Sequence, residues 1–200
     1  MRANPFAILI STTDAGPYAT HLPLFIRAEE ERIYMRGHVA RANPHWQYLE
    51  QEPQCLTIFH GPHAYVSPTN YGERESVPTW NYAAVHVYGS ARIFSTMQDL
   101  QQMLNELMGT FEPAYREQWE SLSETFRDNM LRSIVGFEIV ATKIEGKFKL
   151  SQNRPREDQA NVIASLEQSQ DSVVSRVSRM MREQRLGKIP ANKEDDKEDE

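Results

Sequence analysis

Phe6-Ala7-Ile8-Leu9-Ile10-Ser11-Thr12, stopped by Asp14-Ala15-Gly16-Pro17 and resumed over residues 18–26, is the stretch that decides the fold. An apolar run of strand length, cut by turn formers and resumed at once, reads as two antiparallel strands. The charged bend Ala28-Glu29-Glu30-Glu31 then returns the chain into a third strand over residues 32–37. Asn43 reads as an N-cap with Pro44 at the first helical position, opening a short helix through Leu49. Strands resume over residues 54–60, 65–67, 79–94 and 136–144, the last expected to turn at Glu145-Gly146 into residues 147–150. Thr96 and Asp99 resemble a capping box for a helix with the stripe Met97, Leu100, Met103, Leu104, Leu107, ended by Gly109. Ser123 caps another helix through Arg132. Beyond Pro155 the apolar spacing is helical, through Val162, Ile163 and Leu166, then Val173, Val174, Val177, Met180 and Met181. Strands come first and helices late, without βα alternation. The expected fold is therefore mainly β (α+β), a small antiparallel barrel with peripheral helices, and a doubly wound sheet is excluded.

The chain has 200 residues, enough for one domain with an appendage. Residues 1–168 are expected to form the folded domain, 169–187 a C-terminal amphipathic helix and 188–200 a disordered acidic tail. Cys55 is the only cysteine, so an intramolecular disulfide is excluded. No apolar run approaches membrane length and no charged-then-apolar leader follows Met1, so the expected location is the cytoplasm, with no membrane partner. Of the net charge of -6, the last eight residues account for most, with six acids and two lysines. The nearly neutral body argues against a strong intrinsic DNA binder. Arg176, Arg179, Arg182 and Arg185 recur every three residues. They could face phosphates, but the apolar residues between them favour a solvated amphipathic or dimer-packing helix.

All six histidines fall between His21 and His86, mostly beside aromatic residues and Gly, Pro or Asn. In Gly37-His38-Val39-Ala40-Arg41-Ala42-Asn43-Pro44 a strand ends, a cation follows and a helix begins. Backbone amides at the helix start and a bidentate Arg41 would cradle a phosphate, with His38 as a further donor. An ordinary strand-to-helix corner with a surface arginine explains the same spacing. His60 and His63 invite a metal reading, yet no HExxH, CxxC or acidic partner accompanies them; donors to a ligand or to backbone groups is the better reading. On residues 79–94, alternation sends Trp80, Tyr82, Ala84, His86 and Tyr88 to one face and Asn81, Val85 and Val87 to the other. The polar-aromatic face suits a ligand or a subunit contact equally. Cys55 lies in an apolar run where burial makes a thiol inert. There is no GxSxG, GxGxxG or P-loop.

Five blocks together resemble the PaiB family of FMN-binding negative transcriptional regulators. They are Thr20-His21-Leu22-Pro23, Gly37 through Pro44 as quoted, Phe59-His60-Gly61-Pro62-His63-Ala64-Tyr65-Val66-Ser67-Pro68, Pro78-Thr79-Trp80-Asn81-Tyr82, and Gly146-Lys147-Phe148-Lys149-Leu150-Ser151-Gln152-Asn153-Arg154. The resemblance implies a split β-barrel of the FMN-binding type, like that of pyridoxamine phosphate oxidases and flavin reductases. It also implies a homodimer with FMN at the subunit interface. By the same resemblance Arg36, Gly37, His38, Arg41 and Asn43 hold the FMN phosphate, and His21, Phe59, His60 and Gly61 lie near the flavin. Trp80, Asn81, Tyr82, Lys149, Gln152 and Asn153 close the site. The expected function is a flavin-dependent regulator or sensor whose effect on DNA is indirect. The alternative is an FMN-dependent oxidoreductase acting on a small substrate or NAD(P)H.

Overall fold

The computed structural model describes residues 1–189; the expected acidic tail lies outside the described residues from residue 190 on. The opening hairpin forms as expected. Strand β1 (Phe6–Thr13) pairs antiparallel with β2 (Gly16–Pro23), Phe6 opposite Pro23 and Thr13 opposite Gly16. The second apolar run is two strands rather than one. Leu24, 1% exposed, turns into the core and separates β2 from β3 (Phe25–Glu29), which pairs with β4 (Arg32–Ala40). Helix α1 (His45–Gln51) follows, then β5 (Gln54–Val66), β6 (Thr79–Phe94), α2 (Met97–Phe111), α3 (Tyr115–Ser121) and α4 (Glu124–Arg132). The chain continues through β7 (Ile134–Lys149), α5 (Arg156–Glu167) and α6 (Ser172–Arg185).

The seven strands form one sheet in the order β2-β1-β5-β6-β7-β4-β3. Its two terminal strands, β2 and β3, are joined in sequence by the single residue Leu24. A flat sheet would hold them far apart, so the sheet curls until its edges approach, which is how a barrel arises. The mainly β fold with peripheral helices is thus the one expected.

The chain divides into two compact units, residues 1–59 with 86–145, and residues 60–85 with the segment from 146 on. The first unit centres on Ala7, Leu9, Met35, Phe137 and Ile139, all 0% exposed. Beside them α2 packs Leu100, Met103 and Leu107 with Phe94 and Leu131. Thr96 Oγ1 accepts from the Asp99 amide, as a capping box requires, and Ser123 caps α4 through the Phe126 amide. Gly109 does not end α2, which runs on to Phe111. Its lack of a side chain lowers helix propensity without forbidding a final turn. Helix α3, with Trp119 buried, has no side-chain cap to announce it in the sequence.

The second unit is built on Ala64, Val66, Leu150, Val162, Ile163, Leu166, Val177 and Met181. Two expected breaks are absent. Strand β5 is continuous through Gly61-Pro62, but the residues it buries change from Cys55, Thr57 and Phe59 to Pro62, Ala64 and Val66. The alternation slips by one residue at that point, and a period-two reading fails there although the backbone stays extended. Strand β7 likewise runs straight through Glu145-Gly146. Residues 142–146 are all exposed, so no inward alternation marks them as strand. Among the described residues no helix is long and apolar enough to cross a membrane.

Cys55 is buried against the Gly89 carbonyl, and burial pushes its thiol up to about 12. The native protein should therefore resist iodoacetamide at mildly alkaline pH and react fully only once unfolded. Stoichiometric labelling of the native chain, read by intact mass, would refute this burial.

Candidate functional site

In the first unit, the strand-to-helix corner is more self-contained than its spacing suggests. The Arg41 amide donates to the Ser133 carbonyl at 2.7 Å and the Asn43 amide to the Ala40 carbonyl at 2.8 Å. Asn43 Oδ1 accepts from the His45 amide at 3.0 Å, and its Nδ2 donates to Thr20 Oγ1 at 3.2 Å. Helix α1 begins at His45, one residue later than expected and with Pro44 already in helical geometry. The amides expected to await a phosphate are thus occupied by the corner itself.

The cations of this corner differ. The Arg36 guanidinium lies between two carboxylates, with Nε donating to Glu138 and Nη1 to Glu106 at 3.1 Å. Glu138, only 8% exposed, also faces Arg92 at 3.5 Å and Arg27 at 3.8 Å. Arg36 is therefore neutralised where it stands. The exposed Arg41 instead donates to two neutral carbonyls, Arg132 at 2.8 Å and Ile134 at 3.0 Å. Those bonds fix its fork without cancelling its charge. Gly37 faces inward, where a Cβ would lie 2.8 Å from Leu24 Cδ2; the glycine serves barrel packing.

His38 is half-buried on the opposite side of β4 from Gly37, and its Nδ1 is buried without a hydrogen-bond partner among the described residues. Desolvation holds its imidazole below the ordinary histidine range. A buried orphan donor or acceptor carries a penalty that a ligand would relieve. Of the other residues expected here, His21 is exposed, its ring centroid 6.2 Å from that of Phe6, and Phe59 is 2% exposed in the core.

His45 has a different role. It is fully buried, with Nδ1 2.8 Å from Thr20 Oγ1 and Nε2 3.0 Å from Ser11 Oγ. Burial lowers its imidazole to about 4. Since the folded state favours the neutral ring, this stabilisation is complete above the unfolded histidine value, roughly pH 6.5, and is lost as pH falls toward 4. The loss is at most about 3 kcal/mol. Urea unfolding of wild type and His45→Gln across that window should show the variant's stability falling less steeply with acid. Parallel slopes would contradict a neutral buried His45.

In the second unit, the side chains gather differently. His60, His63 and Tyr65 all point outward from β5, and Trp80 points outward from β6. Their ring centroids form a ladder, with His60 to His63 at 4.8 Å, His63 to Trp80 at 6.1 Å and Tyr65 to Trp80 at 6.0 Å. Trp80 is 54% exposed and Tyr65 51%. Beneath them the strands approach closely, because a Cβ on Gly61 would lie 2.9 Å from the Ala83 carbonyl oxygen. Gly61 thus lets the ladder's two strands meet.

Asn81, expected at the site, is fully buried instead; its Nδ2 donates to Ser151 Oγ at 2.9 Å. Tyr82 is half-buried on the ladder strand, and Lys149 Nζ donates to Thr79 Oγ1 at 2.8 Å. Gln152 folds onto its own loop, accepting from the Leu150 amide and donating to the Phe148 carbonyl, while Asn153 is exposed. Tyr65 is not among the residues expected at the site, and His63, read as a donor to a ligand or to backbone groups, is not in the expected flavin set. The inward series Pro62, Ala64, Val66 was the signal that would have placed them outward.

The family model described as "Putative FMN-binding domain" matches residues 1–143. The chain is 36% identical over 184 residues to the protease synthase and sporulation protein PAI 2 of Bacillus subtilis, covering 90% of this chain and 87% of that one. This chain is a PaiB-family FMN-binding protein. A second relative, the uncharacterized protein AN0679 of Emericella nidulans, is 30% identical over 209 residues, 84% of this chain and 83% of its own. Among solved structures, the flavocytochrome Anf3 of Azotobacter vinelandii superposes with a TM-score of 0.55 at 19% identity, over 80% of this chain and 69% of that one. The FAD and heme binding protein of Mycobacterium smegmatis does so at 0.53 and 10% identity, over 82% and 73%. At these identities the two structures speak to the fold alone.

The residues present fit a flavin. In the second unit the ladder offers a planar ring system exposed aromatic and imidazole side chains; in the first, separately, His38 Nδ1 is a buried polar atom without a partner among the described residues.

Proposed function

We propose that this PaiB-family chain is a homodimeric, flavin-dependent sensor acting in regulation, with FMN held at the seam between two copies. The observation that carries this reading is the exposed ladder of His60, His63, Tyr65 and Trp80. Exposed single hydrophobes are ordinary, but four exposed rings linked in series, inclined 38° to 75° to one another, offer several faces and edges to a flat ring. On this reading Trp80 and His63 take the isoalloxazine face, and His60, Tyr65, Tyr82 and Lys149 frame it. In the first unit, taken by itself, Arg41, charged and held in place, and His38 are the candidates for gripping an anion. Arg36 and Asn81 support the fold around them.

When bound, FMN supplies one- and two-electron redox chemistry; the chain's own residues bind it, orient it and limit the access of water. The relative named for protease synthesis and sporulation supports a regulatory role. The nearly neutral body supports an effect on DNA that passes through a partner or metabolite. The open face of the ladder would also admit a nicotinamide, which favours an FMN-dependent oxidoreductase as the second reading.

An absorption spectrum of the purified protein, followed by anaerobic NADH or NADPH, separates these outcomes. A sensor carries a flavin spectrum and shows no multiple turnover with either nucleotide. Repeated bleaching and reoxidation would overturn the sensor in favour of the oxidoreductase. A protein that is colourless and takes up no added FMN would contradict both.

A further inference from the structure

The second unit also carries a groove of about 630 Å³, lined by Arg156, Arg182, Arg185, Gln152, Gln159 and Leu186 among others. It forms because α5 and α6 are joined by the short connection 168–171 and fold back on each other, bringing the start of α5 beside the end of α6. Three guanidiniums thus line one concavity, and no carboxylate lines it among the described residues. Arg182 is neutralised by Glu167, with Nε and Nη2 each 2.7 Å from a carboxylate oxygen. Among the described residues Arg156 and Arg185 have no such partner.

The end of α6 explains part of this, since cations there complement the helix dipole. It does not explain Arg156. That residue opens α5, where a positive charge opposes the dipole and where Pro155 supplies no side-chain cap. Of the acids in the same turn, Asp158 is buried and accepts from the Gly72 amide at 2.9 Å, while Glu157 is exposed and does not line the groove. Uncompensated like charges facing one cavity are unfavourable until an anion enters.

We infer that this groove is a binding site for a small phosphorylated ligand, gripped by Arg156 and Arg185. Its volume is in the range of small-molecule pockets. Guanidinium forks match phosphate oxygens in pairs. Gln159 already donates to the Arg154 carbonyl at 2.8 Å, so the arginines carry the recognition. The site goes beyond the flavin reading and does not depend on it; a phosphorylated metabolite here would give a sensor a second input.

The test is calorimetric titration of inorganic pyrophosphate into the full-length protein near physiological ionic strength, in both FMN-loaded and FMN-free samples. The expected result is saturable binding of one pyrophosphate per chain. It should be at least tenfold weaker in the Arg156→Gln, Arg185→Gln double variant and unchanged in Arg179→Gln, an exposed arginine of the same helix. Flavin content and FMN affinity should be the same in all of them. All three side chains are exposed, and a circular dichroism melt checks that each variant folds. The proposal is overturned if wild type shows no saturable binding or if the double variant binds equally well. It is also overturned if pyrophosphate displaces FMN, which would assign the binding to the flavin's own phosphate site. Because the FMN-free sample is titrated too, failure of the flavin reading and failure of this one are distinguishable.

Discussion

The Trp80→Ala protein binds FMN roughly 5- to 150-fold more weakly than wild type, while its unfolding midpoint in urea hardly moves. The affinity loss follows from stacking a flat heterocycle on an indole, worth about 1–3 kcal/mol by analogy with nucleobases on aromatic side chains. The stability half follows from exposure, since Trp80 is 54% exposed and its removal opens no cavity. Trp80→Phe keeps a ring in place and should recover most of the affinity. Phe126→Ala, which removes a ring 47% exposed in the first unit, should leave FMN binding unchanged. Flavin fluorescence quenching on titration reads all of these. Equal affinity in wild type and Trp80→Ala would remove the ladder from the site.

The second large effect concerns the charge cluster of the first unit. Glu138→Ala should cost about 3–5 kcal/mol, because it removes the acceptor of Arg36 and leaves a half-buried guanidinium poorly compensated. Glu106 still accepts from Arg36 Nη1 through both its oxygens, at 3.1 and 3.2 Å, so the lower end of that range is the better expectation. Replacing both partners with apolar residues, Arg36→Met with Glu138→Leu, should recover much of the loss, since paired removal avoids a stranded charge. The same double variant decides what Arg36 does. If its role is structural, FMN affinity stays near wild type. A collapse of FMN binding in a stable double variant would instead make Arg36 part of the phosphate site. Urea unfolding and FMN titration on one preparation give both answers.

Much of this was legible in the sequence, for reasons specific to each element. The β1–β2 hairpin and the caps Thr96 and Ser123 are local signals, written within a few residues of where they act. The long β6 strand was legible because its alternation holds from Asn81 to Gly89. The continuity of β5 was not, because the face it buries changes at Gly61, and only the assembled core shows that both phases are satisfied. The split of the second run at Leu24 depends on barrel closure, a long-range requirement with no local mark.

The site divides along the same line. Residue types alone marked the clusters at residues 37–46, 59–65 and 78–82. Which side chains are already engaged depends on partners far away in sequence. Arg36 meets Glu138 and Glu106, Arg41 meets the carbonyls of Arg132 and Ile134, and Asn81 meets Ser151. Histidine illustrates the limit well: His45 and His38 lie seven residues apart, yet one is saturated by two hydroxyls and the other has a nitrogen without a partner among the described residues.

The most direct measurement is a crystal structure of the FMN-loaded protein. The account predicts an isoalloxazine lying against the rings of Trp80 and His63. A flavin bound elsewhere, with the rings of His60, His63, Tyr65 and Trp80 left facing solvent, would contradict it.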